Sequence, residues 1–274
     1  GLEAAFVGFP APRRPLVEVN ATVPAVPAAA VAEVLARYPG CRVVKVKVAE
    51  QGQTLADDVA RVQAVRDAVP GAVIRVDANR GWTVDQALEA ARALGPLDYM
   101  EQPCDSVEEL ADLRRLLMRS GMFVRVAADE SIRRSDDPYR VADLMAADVA
   151  VVKVAPLGGV RRVLQLAADL RARHMDVTVA SALDTAVGMN AGLAAVAALP
   201  VIADDDAMDV PPAAAGLATG SLFVEDVAPP RAIVDGFMAT DPVAPDADRL
   251  AALAAPADRR EWWFRRLLDA HRYV

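Results

Sequence analysis

Six apolar runs in this chain each stop at a charged or hydroxyl side chain, and the stops recur at a nearly constant interval. Val43-Val44-Lys45-Val46-Lys47 ends in a lysine pair. Val73-Ile74-Arg75-Val76-Asp77 delivers an aspartate, with Asn79 two residues on. Leu97 to Glu101 delivers a glutamate, Phe123 to Glu130 the acidic pair Asp129-Glu130, Val149 to Lys153 a lysine, and Val177 to Ser181 a serine. Successive stops at Lys47, Asp77, Glu101, Asp129, Lys153 and Ser181 lie about 24 to 30 residues apart. One strand, one helix and two loops fill that length, and strands alternating with helices predict a parallel sheet. Its repetition predicts an α/β fold closed as a TIM-type (β/α) barrel, which takes about 250 residues and gathers its C-terminal strand ends at one mouth.

The segments between the runs support that reading. Leu55, Val59, Val62, Val65 and Val69 recur at helical spacing. Thr83 is placed to cap a helix running to Gly95-Pro96, and Ser106 with Glu109 fits a capping box. Asp136-Asp137-Pro138 opens a helix near Tyr139 to Ala146, Gly158-Gly159 precedes one over residues 160–172, and Asp184 opens another. Leu16-Val17-Glu18-Val19-Asn20-Ala21 alternates and reads as the first barrel strand. Phe223 to Val227 reads as a short strand, behind an acidic run at Asp204-Asp205-Asp206. The expected organisation is a proline-rich linker or domain remnant over 1–15, the barrel over 16–245, and a helical segment over 246–274. The aromatics of that last segment, Trp262, Trp263 and Phe264, are expected to dock on the barrel or on another domain.

Composition narrows the chemistry. A formal charge of −8 disfavours nucleic acid or an anionic membrane as partner. With two histidines, His174 and His271, neither a histidine-rich metal site nor a histidine-based triad is expected. Cys41 and Cys104 lack metal-ligand spacing and form no disulfide framework, which points to a reducing cytoplasm. The apolar run from Ala186 to Ala203 is broken by Gly188, Gly192 and Pro200 and reads as a barrel helix, not a membrane span.

Asp77, Glu101 and Asp129 would stand on three successive strand ends, an all-oxygen set suited to a hard divalent cation. Glu130 is the alternative ligand on its strand. Lys47 and Lys153 would face each other across the mouth. Strand alternation turns Lys45 the same way as Lys47. A lysine crowded by other cations loses its proton more readily, which suits it to act as a base. Arg75 either holds a substrate carboxylate or pairs with Asp77 or Glu101. Asn79 orients a neighbour or forms the turn. Ser181 either leads an anion to backbone N–H groups or caps a helix.

Lys45-x-Lys47, Asp77-Ala-Asn79, Glu101-Gln-Pro, Asp129-Glu-Ser and Lys153, in this order, resemble the enolase superfamily. Longer stretches resemble its o-succinylbenzoate synthases of the actinobacterial type: Asn20-Ala-Thr-Val-Pro-Ala-Val, Lys45-Val-Lys47-Val-Ala-Glu, Glu101-Gln-Pro-Cys, Ala128-Asp-Glu-Ser-Ile-Arg, Lys153-Val-Ala-Pro-Leu-Gly-Gly and Ser181-Ala-Leu-Asp-Thr-Ala-Val-Gly. The likeness extends from about Asn20 to Trp262-Trp263.

The resemblance implies the modified (β/α)7β barrel and Mg²⁺, with Mn²⁺ as the alternative ion, held by Asp77, Glu101 and Asp129. It implies dehydration of a small-molecule carboxylate, 2-succinyl-6-hydroxy-2,4-cyclohexadiene-1-carboxylate, to o-succinylbenzoate in menaquinone synthesis. Lys47 would remove the proton α to the ring carboxylate, and Lys153 would stabilise the anion from the opposite face. N-succinylamino acid racemases and dipeptide epimerases use the same fold and are the nearest alternative. A catalytically silent barrel is the alternative from another class. The resemblance also implies an N-terminal capping domain that closes over substrate. This chain enters its first strand at about Leu16, so the expectation is a monomeric barrel lacking most of that cap and slow by itself.

Overall fold

The β-branched runs form the staves of one parallel sheet. The computed structural model describes residues 2–133, 138–203 and 209–272. Helix α1 (Leu2–Phe6) is followed by β1 (Leu16–Glu18), β2 (Ala21–Val23), α2 (Val31–Leu35), β3 (Val43–Lys47), α3 (Leu55–Ala68), β4 (Val73–Asp77) and α4 (Val84–Leu94). Next come β5 (Tyr99–Glu101), α5 (Val107–Arg119), β6 (Arg125–Ala128), α6 (Glu130–Arg133), α7 (Arg140–Asp143) and β7 (Val149–Val152). Then follow α8 (Val154–Leu157), α9 (Val160–Arg171), β8 (Asp176–Val179), α10 (Met189–Ala198), β9 (Ile202–Ala203), β10 (Asp209–Val210), β11 (Phe237–Ala239), α11 (Ala247–Ala252) and α12 (Ala257–His271).

Strands β2 to β8 are hydrogen-bonded in chain order. A stave too short to count as a strand closes the ring: Ala215 pairs with Val19, and Gly216 with Ala180. Asn20 N donates to Ala215 O at 3.0 Å, Gly216 N to Val179 O at 2.9 Å, and Ser181 N to Gly216 O at 2.9 Å. A Cβ on Gly216 would lie 3.1 Å from that of Ala180, so glycine permits this approach. The result is the expected (β/α) barrel, with seven strands and a short closing return.

Alternation along the strands divides the core into two layers. Val44, Val46, Met100, Val126, Ala128 and Val152 belong to the large cluster between sheet and helices. Tyr99, Ala127, Val149, Val151 and Ala180 form a separate cluster inside the ring. Helix α5 shows how a helix joins the outer layer. Leu110, Leu113 and Leu117 share one buried face, and full burial of each contributes about 1.5–3 kcal/mol. Ser106 and Glu109 close the expected capping box at its start, and Thr83 with Gln86 does so at α4.

Several expectations are corrected. The alternating run from Leu16 is two elements: β1 pairs antiparallel with β11, and the barrel stave is β2. Val19 and Asn20 make the transition by pairing with Ala215, which ends β1 before the ring begins. No helix starts at Asp184; Ser181 and Asp184 bond each other's side chain and backbone, and that turn delays α10 to Met189. Phe223 to Val227 is not a strand, and Val224 is fully exposed. Asp136 and Asp137, and the run at Asp204-Asp205-Asp206, lie outside the described residues.

The first fifteen residues are more anchored than a linker. Arg13 Nε donates to Ala198 O at 3.1 Å and Arg14 Nη1 to Val196 O at 2.7 Å, placing two cations on carbonyls of the last turn of α10. Helix α12 instead has no buried residue; Trp262 and Trp263 pack on each other, 4.7 Å between ring centroids. Among the described residues no helix is long and apolar enough to cross a membrane.

Candidate active site

Register places the predicted groups side by side. Lys47 aligns with Asp77 across β3 and β4, and Asp77 aligns with Glu101 across β4 and β5. Lys47 Nζ donates to Asp77 Oδ2 and to Asn79 Oδ1, both at 2.6 Å. Lys45, one inward position below, donates from Nζ to Asp77 Oδ2 at 2.9 Å and to Glu101 Oε1 and Oε2 at 3.0 and 3.1 Å. On the other side of the ring Lys153, the residue after β7, bonds Asp129 Oδ2. Arg133, one turn along α6, reaches Asp129 Oδ1 at 3.1 Å and Glu130 Oε1 at 3.0 Å. Asn79 holds a left-handed backbone (φ 45°) and also donates from Nδ2 to Glu130 Oε1 at 3.4 Å, so its amide connects Lys47 to Glu130.

Asp77, Glu101 and Asp129 are all buried. Burial favours a protonated Asp77, but the ammonium groups of Lys45 and Lys47 outweigh it and hold this carboxyl well below the usual range. Burial also opposes the charge on Lys45, yet Asp77 and Glu101 together hold its ammonium well above the ordinary lysine range. This is the reverse of the expected depression, because Lys45 faces carboxylates rather than cations. Glu101 is pushed up to about 7 by burial and then by the nearby charges of Asp77 and Asp129, with Lys45 offsetting only part.

Among the described residues no three acidic, histidine or cysteine side chains form a ready chelating group. The Lys45 ammonium bridges Asp77 and Glu101 instead. Two observations nonetheless fit a divalent cation. Burial, and then the charges of Asp77 and Asp129, raise the Glu101 carboxyl even with Lys45 beside it, so a further cation against this carboxylate would be favoured. Glu130 Oε2 is buried with no hydrogen-bond partner. Asp77, Glu101 and Asp129, with Glu130 beside them, supply the hard oxygen donors such an ion takes.

Two predicted residues sit elsewhere. Arg75 pairs with neither Asp77 nor Glu101. It points inside the ring below Lys45, bonding Asp98 Oδ2 at 2.9 Å and Ala214 O at 2.7 Å, with its guanidinium 4.7 Å from the centroid of the Tyr99 ring. That position ties β4 to the closing return. Ser181 Oγ exchanges hydrogen bonds with Asp184 and accepts one from Thr219 Oγ1 at 3.1 Å, so it organises the turn after β8.

Asp58 and Arg61 on α3 were not anticipated, because helical phasing singles out only the apolar stripe. Both are buried and paired at 2.7 Å. Arg61 Nη1 donates to Lys47 O at 2.9 Å, and Asp58 Oδ2 accepts from Ala49 N at 3.0 Å. The pair thus holds the backbone on both sides of Val48, just beyond the Lys47 strand end. Their i,i+3 spacing is a visible signal, but one shared by many exposed helix pairs.

Known proteins resemble this chain in sequence and in fold. Residues 28–256 match the family model described as Enolase C-terminal domain-like. The chain is 55% identical over its whole length to an o-succinylbenzoate synthase of Mycolicibacterium smegmatis, covering 80% of that protein. It is 54% identical to an o-succinylbenzoate synthase of Mycobacterium tuberculosis over 97% of this chain and 77% of that one. The muconate lactonizing enzyme of Pseudomonas putida superposes with a TM-score of 0.73 at 25% identity, over 89% of this chain and 67% of that one. That of Pseudomonas fluorescens, complexed with muconolactone, gives 0.71 at 27% identity over 88% and 64%. The chain therefore spans about two thirds of the structures and about four fifths of the synthases it matches. It belongs to the enolase superfamily and, within it, to the o-succinylbenzoate synthase family.

Proposed function

We propose that the barrel dehydrates 2-succinyl-6-hydroxy-2,4-cyclohexadiene-1-carboxylate to o-succinylbenzoate. The observation that carries this reading is the pair of strand-end lysines, Lys47 and Lys153, each bonded to a different buried carboxylate, in a chain that shares 55% identity with a named synthase.

Lys47 takes the proton α to the ring carboxylate as the C–H electrons move into an enediolate. Its ammonium then returns that proton to the departing hydroxyl, which leaves as water while the ring becomes aromatic. Lys153 lends positive charge to the enediolate from the other side of the mouth. Asn79 and Asp77 fix Lys47 Nζ by two bonds of 2.6 Å, limiting its search for the substrate proton. Membership of the superfamily implies a divalent cation, and Mg²⁺, with Mn²⁺ as the alternative, is the ion proposed for Asp77, Glu101 and Asp129. When bound it supplies positive charge where the substrate carboxylate becomes an enediolate.

Proton NMR of the diene incubated with the full-length protein tests the reading. Aromatic product signals that require Mg²⁺ and vanish with chelator support it. An unchanged diene at saturating Mg²⁺ contradicts it. Exchange of the α-proton of an N-succinylamino acid into deuterated water, without diene turnover, would favour racemisation instead.

A further inference from the structure

The turn after β5 carries a buried amide whose bonds lead to the next strand end. Gln102 follows Glu101, is fully buried, and holds a left-handed backbone with φ 37°. L-residues other than glycine, asparagine and aspartate adopt that region at a cost. Its backbone N donates to Ala127 O at 2.7 Å, fixing the turn against β6. The side chain then spans to the residues beyond β6. Gln102 Oε1 accepts from Asp129 N at 3.0 Å and from Ser131 N at 3.1 Å. Gln102 Nε2 donates to Ser131 Oγ at 2.8 Å and to Cys104 O at 3.0 Å. Both lone pairs and both N–H groups are therefore used, and only one orientation of the amide satisfies all four partners.

We propose that Gln102 is a positioning residue for the acidic site. It fixes the backbone of Asp129 relative to that of Glu101, and so sets the spacing of two carboxylates from different strands. This rests on the reading that Asp77, Glu101 and Asp129 hold the divalent cation. The side chains of Glu101 and Asp129 engage flexible lysines, whereas the β5–β6 ladder reaches only to Ala127 and the Gln102 amide carries the connection on to the backbone of Asp129. A leucine fills the space but leaves the Asp129 and Ser131 N–H groups without their acceptor. A glutamate keeps that acceptor and loses the donors to Ser131 and Cys104.

The test is calorimetric titration of Mg²⁺ into metal-free full-length protein, comparing the parent with Gln102→Leu and Gln102→Glu, alongside thermal melts and steady-state kinetics. Gln102→Leu should weaken Mg²⁺ binding about 10- to 100-fold and lower kcat with little change in KM for the diene. Gln102→Glu should fall between it and the parent. A lowered melting temperature with the parent's Mg²⁺ affinity and kcat assigns Gln102 to the scaffold alone and overturns the inference. If Gln102→Leu does not fold, Gln102→Glu decides, and affinity equal to the parent's overturns the inference. A parent that binds no Mg²⁺ overturns the cation reading and this inference together.

Discussion

Lys45 and Glu101 form a contact in which one ammonium reaches both oxygens of a fully buried carboxylate, at 3.0 and 3.1 Å, while also holding Asp77 at 2.9 Å. The Lys45 charge keeps two acids from meeting unneutralised in the interior. Lys45→Met should destabilise the metal-free protein by about 3–5 kcal/mol, the scale of removing one partner from a buried ion pair. Saturating Mg²⁺ should return part of that loss. Thermal melts with and without Mg²⁺ check this, and equal losses in both would show that no cation replaces the lysine.

The raised carboxyl of Glu101 gives a pH dependence of definite sign. Its folded value of about 7 lies above the ordinary 4.5, so the native state holds a proton that the unfolded chain has released. Its contribution to stability is present below about 4.5 and is lost as pH rises through about 7. Glu101→Gln should remove this fall from the metal-free protein, as denaturant titrations across that window would show. Mg²⁺ binding should displace the same proton, so affinity should rise with pH up to about 7. Calorimetry in buffers of different ionisation enthalpy reads that proton.

Asp58 and Arg61 support Lys47 from behind. Arg61→Met removes the donor to Lys47 O and leaves Asp58 a buried carboxylate without its cation. A stability loss of about 3–5 kcal/mol is expected from the unpaired acid. In the protein that remains folded, kcat should fall more than KM rises, because the base is displaced while the other groups stay in place. Denaturant titration and steady-state kinetics on one preparation separate the two effects.

Arg75 should show the opposite balance. Its bonds run to Asp98 and Ala214 O, away from the strand ends. Arg75→Met should destabilise the fold by about 3–5 kcal/mol and leave KM for the diene unchanged at temperatures where the protein is folded. A large rise in KM without loss of stability would assign Arg75 to substrate instead.

The sequence makes the ring legible because strand ends repeat and each ends on a polar side chain. Lys47, Asp77, Glu101, Asp129 and Lys153 could be placed on that basis before any contact was known. The split between β1 and β2 was hidden, because an alternating run looks the same whether it pairs with β11 or enters the barrel. Arg75 misled for a related reason: alternation gives the face of a strand but not the depth at which its side chain finds a partner, and Asp98 lies three residues before Glu101 at the mouth. The turn at Ser181 resembled a helix start because the same serine–aspartate chemistry caps both. Gln102 left no periodic mark, and the i,i+3 spacing of Asp58 and Arg61 did not distinguish them from an exposed helix pair, since the roles of all three exist only once distant elements meet.

Removal of the substrate α-proton by Lys47 is the central claim, and the rate of diene consumption by Lys47→Ala in the full-length protein at saturating Mg²⁺ tests it most directly. Loss of a positioned general base should slow turnover by about 10²–10⁴-fold while Mg²⁺ affinity and the melting temperature show a folded, cation-loaded protein. Turnover within about threefold of the parent, under the same two controls, would fall well short of the rate loss expected of a base and would contradict the account.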